Sequence, residues 1–139
     1  MNPANDPFIG TWTLSPGRSH FDPNHRPRAG TMVIQANGAG GYLMTAEGVS
    51  EKGESVAERP QEMIPDGKPY PAPGFHGLVI VSTRPDPRTL HSEARREDGS
   101  VAGGGTMIVS ADGTSLTSVN FGVDSQLREF RQETTWERA

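Results

Sequence analysis

Glycine and proline recur so often along most of this chain that short strands joined by turns suit it better than packed helices. Seventeen glycines and twelve prolines are spread over 139 residues. An interior proline deletes a helix hydrogen bond, and glycine raises the entropic cost of ordering a helix or strand. Between these breaks lie short runs in which apolar and polar residues alternate, the pattern of strands with one buried face. No stretch carries a 3.6-residue apolar stripe. The expected class is all-β.

Nine such runs can be read. They span residues 8–14, 31–36, 42–49, 55–64, 78–83, 89–96, 101–110, 115–121 and 127–138. Polar, proline-rich sequence fills residues 15–30, and residues 65–73 read as a loop. Pro60 falls inside the fourth run, which places that strand at a sheet edge or on a bulge. Asp98-Gly99 and Asp112-Gly113 are hairpin signals. This spacing suits a sandwich or a barrel. The length suits one domain, residues 1–139, with a worthwhile core.

Charge and composition exclude several functions. The formal net charge is -4, with acidic and basic residues interspersed, so nucleic acid and anionic membranes are not expected partners. Cysteine is absent, which removes disulfides, thiolate nucleophiles and thiolate metal sites. No apolar run approaches the ~20 residues of a membrane span. The N-terminus lacks the basic and apolar regions of a signal peptide, so the cytoplasm is the expected compartment unless a leader has been removed. Oligomeric state stays open, a homodimer included.

The two ends of the chain carry a resemblance. Phe8-Ile-Gly10-Thr-Trp12-Thr-Leu14 resembles the opening strand of lipocalins and fatty-acid-binding proteins, with their Gly-x-Trp motif. Thr134-Thr-Trp136-Glu-Arg138-Ala139 is similar to the closing strand of intracellular fatty-acid-binding proteins. Ser19-His-Phe21-Asp22-Pro23, Pro65-Asp66-Gly67-Lys68-Pro69-Tyr70 and Val109-Ser110-Ala-Asp112-Gly113 resemble segments of bacterial lipocalin-like domains of unknown function. The resemblance implies a single up-and-down antiparallel barrel of the calycin kind, with about eight to ten strands. In that fold the first and last strands meet. Trp12 then plugs one end, with Arg138 as the candidate cation over its ring and Arg128 and Arg131 as substitutes.

The sequence also departs from fatty-acid-binding proteins. The space after the first strand is too short and too rich in proline for their helical lid. The position of their carboxylate-binding arginine, two residues before the aromatic that aligns with Trp136, is Thr134 here. A fatty-acid carboxylate therefore loses its expected partner.

Parity within the runs nominates a cavity. In the last run Arg131, Glu133, Thr135 and Glu137 share a face suited to water, so Phe130, Gln132, Thr134 and Trp136 should point inward. Bulk favours Tyr42 and Met44 inside over Leu43 and Thr45. Leu90, Ser92 and Ala94 oppose the polar set His91, Glu93 and Arg95, and the resemblance puts Leu116, Ser118 and Asn120 inside. The candidate ligand-binding residues are thus Tyr42, Met44, Leu90, Ser118, Asn120, Phe130, Gln132 and Trp136. They describe an apolar site with a few polar anchors, suited to a small, largely apolar molecule.

The alternative is an enzyme, such as an isomerase, cyclase or hydrolase, working in the same cavity. It needs an acid–base group, and whether catalysis occurs is left open. His91 and Glu93 can form a hydrogen-bonded pair on one strand face, although two polar residues on a solvated face is the simpler reading. His20, His25, His76 and His91 lack His-x-His or His-Glu-x-x-His spacing, so neither a metal nor a cofactor is expected. Gly103-Gly104-Gly105 is followed by no helix and reads as a bend at a barrel corner rather than a phosphate loop.

Overall fold

The computed structural model describes residues 6–20, 27–50, 52–57, 60–72, 76–123 and 129–139. Its strands are β1 (Gly10–Leu14), β2 (Pro27–Ala36), β3 (Tyr42–Ser50), β4 (Ser55–Ala57), β5 (Gln61–Met63), β6 (Pro69–Pro71), β7 (Val79–Asp86), β8 (Thr89–Arg95), β9 (Val101–Val109), β10 (Ser115–Val123) and β11 (Glu129–Arg138). Among the described residues, helix is limited to one 3₁₀ turn, Pro16–Arg18. All pairings are antiparallel, in the order β4-β3-β2-β1-β11-β10-β9-β8-β7-β6, with β5 also on β3. The sheet curls into an up-and-down β-barrel, and β1 joins β11 through Trp12↔Arg138 and Leu14↔Trp136.

Two local departures from the sequence reading have a common cause. The expected strand at 55–64 is divided, because Pro60 stands between β4 and β5 and cannot donate to a ladder. Both pieces pair with β3 at one sheet edge. The expected loop at 65–73 instead contains β6, bounded by Pro69 and Pro71 and, among the described residues, paired with β7 alone. Proline is tolerated there because an edge strand leaves one row of backbone groups unpaired. β2 also starts earlier than expected, at Pro27. Residues 127 and 128, Arg128 included, fall outside the described residues.

Turn chemistry sets the register. Asn37 Oδ1 accepts hydrogen bonds from the Ala39 and Gly41 amides, closing the β2–β3 turn. Asp98 and Asp112 cap the two predicted hairpins by accepting from Ser100 and Thr114. Short polar side chains bonding their own backbone in this way make a turn local and inexpensive.

The core cluster contains Phe8, Trp12, Ile34, Tyr42, Leu90 and Leu116, among others. It fills the barrel end where the β2–β3, β7–β8 and β9–β10 turns gather, and the segment before β1 crosses that end. Trp12 is fully buried and its indole N–H donates to the Phe8 carbonyl at 3.0 Å. The Arg138 guanidinium lies 4.3 Å from the Trp12 ring centroid, as the resemblance implied. It also donates to the carbonyls of Gly113, Ile9 and Pro7. One side chain therefore ties β11 to the N-terminal segment and to the β9–β10 turn.

Candidate functional site

Beyond this packed end the inward faces of β3 and β7–β10 diverge around a cavity of about 580 Å³. Both edges of the sheet border it, through Gln61, Glu62 and Met63 of β5 on one side and Ala72 just after β6 on the other. Four methionines, Met32, Met44, Met63 and Met107, form much of its apolar wall. Unbranched thioether side chains re-pack readily around guests of different shape. Ala46, Ala94 and Gly105 are small where a bulky side chain would fill the space.

A polar row crosses this apolar wall. In register it runs Ser82↔Ser92↔Gly105↔Asn120↔Gln132 from β7 to β11. The Ser82 and Ser92 hydroxyls are 2.8 Å apart. Asn120 Nδ2 donates to Ser118 Oγ at 3.2 Å. Gly105 sits between these pairs and gives Asn120 its place: a Cβ there would lie 2.4 Å from Asn120 Oδ1 and 3.1 Å from the Val119 carbonyl oxygen. The glycine predicted as a barrel-corner bend thus makes a gap in the polar row.

The sequence candidates divide in space. Met44, Leu90, Ser118 and Asn120 line the cavity. Gln132 and Trp136 are on β11, part-buried on its inward side, but are not among the cavity-lining residues. Trp136 packs against the core cluster, and its N–H donates to Thr134 Oγ1 at 3.0 Å. Gln132 buries Oε1 without a hydrogen-bond partner among the described residues. The side chain of Phe130 lies outside the described residues.

Tyr42 is buried, as its alternation with Leu43 indicates, but it belongs to the closed end. Its hydroxyl donates to Asp6 Oδ2 and accepts from Arg84 Nη1. Arg84 also reaches Asp6 and the Pro87 carbonyl, and it stacks near the Phe8 and Tyr42 rings. Burial pushes the Asp6 carboxyl up, but hydrogen bonds from Tyr42, the Phe8 amide and Arg84 outweigh it and hold its pKa below the usual carboxylate value. Burial and the bond to Asp6 raise the Tyr42 phenol. This cluster fastens the N-terminal segment across the barrel end.

His91 and Glu93 do meet, with Nε2 3.3 Å from Oε1. His91 Nδ1 is 2.9 Å from Thr106 Oγ1, and Arg95 donates twice to Glu93 Oε2. Arg95, and then His91, keep the Glu93 carboxyl below its ordinary range. The network is partly exposed, and Glu93 borders the cavity with its carboxylate engaged by these partners. His20 is tied by backbone bonds to Glu133, and His76 is exposed. His25 lies outside the described residues. Among the described residues no three His, Asp or Glu side chains gather as metal ligands, and no helix is long and apolar enough to cross a membrane.

Sequence reasoning missed Met32, Met63, Met107 and Ser82 as cavity residues. For Met32 the signal was present, since it alternates in phase with the buried Ile34. Met63 and Ser82 reach the cavity from strands whose pairing partners no local pattern reveals.

No family model and no curated protein matches this chain. Solved structures do match over nearly its whole length. The chain is similar to the wild-type fluorescent protein UnaG, at 13% identity and a TM-score of 0.63, covering 95% of this chain and 97% of that one. It is similar to a zebrafish ileal bile acid-binding protein complexed with cholic acid, at 12% identity and a TM-score of 0.60, covering 96% and 99%. As-p18, an extracellular fatty acid binding protein, matches at 13% identity and a TM-score of 0.55, covering 96% and 97%. At these identities the likeness is one of fold, that of an up-and-down antiparallel β-barrel.

Proposed function

We propose that this protein binds a small, largely apolar molecule inside the barrel. The observation that carries this reading is the cavity of about 580 Å³ walled by four methionines and crossed by a short polar row. Its size and make-up match those of small-molecule sites, where apolar walls supply affinity and a few polar groups fix orientation. The bile acid-binding and fatty acid binding proteins that share the fold support the same reading. The enzymatic alternative draws no comparable support: the Asp6 and Tyr42 titrations are tied up at the closed end, and Glu93 is held ionised by Arg95 and His91.

Nile red, a neutral apolar dye, tests this directly. Saturable binding at one site per chain, with a blue-shifted emission, is expected. Ala94→Phe, which fills space in the cavity wall, should abolish it while leaving the far-ultraviolet circular dichroism unchanged. Dye binding that survives this substitution at full strength would place the dye on the outer surface and overturn the reading.

A further inference from the structure

The cavity carries information about the charge of its guest. The polar side chains on its inward faces are neutral: the Ser82–Ser92 hydroxyl pair, the Ser118–Asn120 pair and the Gln61 amide. In the first pair one hydroxyl hydrogen is used between the two oxygens, leaving the other hydroxyl able to donate while both oxygens still accept. In the second pair one Asn120 Nδ2 hydrogen goes to Ser118, and Oδ1 lies toward the gap above Gly105. That oxygen is an acceptor facing space that only a glycine leaves open.

The charged residues that border the cavity, Glu62 and Glu93, are acidic and lie on the outward parity of their strands, Glu62 opposite Leu43 and Glu93 bonded to His91 and Arg95. Among the described residues lining it there is no lysine or arginine. Arg84, the nearest candidate by parity, is committed to Asp6, Tyr42 and Pro87 at the closed end. A carboxylate is acceptor-only. Seated here it would face the Asn120 oxygen and would exchange its hydration for a few neutral donors, with no cation among the described lining residues. Burial of an ionised carboxylate without a cation is heavily penalised. A hydroxyl or an amide N–H has the opposite character, because it donates to Asn120 Oδ1 and carries no charge.

We propose that the cavity selects uncharged ligands bearing a hydrogen-bond donor, a hydroxyl or an amide N–H, over carboxylates of the same shape. This rests on the small-molecule reading above and names the ligand class for the same site.

Three pyrene probes separate the possibilities: pyrenebutanol, pyrenebutyrate and butylpyrene, titrated into the full chain at neutral pH and low ionic strength. Pyrenebutanol should bind at least about tenfold more tightly than pyrenebutyrate, in line with the cost of leaving a buried polar group mismatched. Asn120→Leu should weaken pyrenebutanol by about tenfold and leave butylpyrene nearly unchanged. The milder Ser92→Ala should move pyrenebutanol in the same direction and covers the case in which Asn120→Leu folds poorly. Pyrenebutyrate binding as tightly as pyrenebutanol would overturn the selectivity and leave the small-molecule reading intact. Failure of all three probes to bind saturably would overturn both.

Discussion

Arg138 stands where a side chain on Gly10 would have to go: a Cβ built on Gly10 falls 2.5 Å from Arg138 Nη1. The same guanidinium covers the Trp12 ring and bonds the Ile9 carbonyl. The Gly-x-Trp spacing thereby acquires a physical meaning. The tryptophan fills the barrel end, and the glycine two residues earlier clears the approach for the arginine that seals it. Gly10 also has φ +147°, a conformation side chains rarely adopt. Gly10→Ala should therefore cost roughly 1–3 kcal/mol of stability, combining backbone strain with displacement of Arg138. Urea denaturation followed by tryptophan emission measures it, and an unchanged midpoint would mean that Arg138 moves aside freely.

Trp12→Ala should be more damaging, at about 3–5 kcal/mol, because the indole is fully buried and its removal leaves a large void. Arg138→Ala should cost roughly 1–3 kcal/mol through the lost cation–π contact and three carbonyl bonds. In the double variant the two losses should fall short of their sum, since each removes part of the same contact. Strict additivity in that cycle would show that the arginine and the ring stabilise the protein independently.

The Asp6 cluster predicts a dependence on pH. Its folded pKa lies below the ordinary 3.8, so its contribution is complete above that value and is lost as pH falls toward the folded pKa. The stability difference between the wild type and Asp6→Asn should be greatest near neutrality and should shrink on acidification below about pH 4. A difference that stays constant down to strong acid would mean that Asp6 is not ionised in the folded protein. Tyr42→Phe, which leaves Asp6 and Arg84 short of a partner, should cost roughly 1–3 kcal/mol at neutral pH.

Gly105→Ala probes the gap in the polar row. The added methyl would displace Asn120 Oδ1, 2.4 Å from it, and would press on the Val119 carbonyl at 3.1 Å. A loss of roughly 1–3 kcal/mol in stability is expected from such overpacking. Under the proposed function, the affinity for pyrenebutanol should fall as well. Calorimetry for the first and fluorescence titration for the second check the two effects separately.

Glu137→Lys serves as the contrasting surface change. Glu137 is exposed and pairs with an exposed Arg18 at 3.1 Å. Reversal of its charge should shift stability by less than about 1 kcal/mol, and under the proposed function Nile red binding should be unchanged. A marked loss of dye affinity would indicate that the outward face of β11 takes part in binding.

Much of the fold was legible because alternation is a local signal. The inward parity of Thr134 and Trp136 and of Leu90 follows from one strand at a time, while that of Leu116 and Ser118 came from the resemblance. The contact of Trp12 with Arg138 came from the resemblance of the two ends, which already implied that those strands meet. Tyr42 shows the limit. Its inward side was readable, but the carboxylate that engages its hydroxyl lies 36 residues away. The cavity was only half visible for the same reason, since its methionines come from β2, β3, β5 and β9 and converge only when the sheet curls. β6 was hidden by its own prolines, which argue against a strand unless its place at the edge is already known.

The seam between β1 and β11 also sets an order in time. Arg138 reaches Ile9 and Pro7 across 129 and 131 residues of chain, whereas β2–β3 and the ladder from β7 to β10 close through short turns. Joining distant residues is entropically dearer than closing a hairpin, and folds rich in such contacts form slowly. The hairpins can therefore assemble first as an open, curling ribbon, with the seam annealing last. In that interval the Trp12 face and the methionine wall are exposed together on an open sheet. The vulnerable moment for this protein is that delay, when a neighbouring chain can occupy the seam before its own last strand arrives.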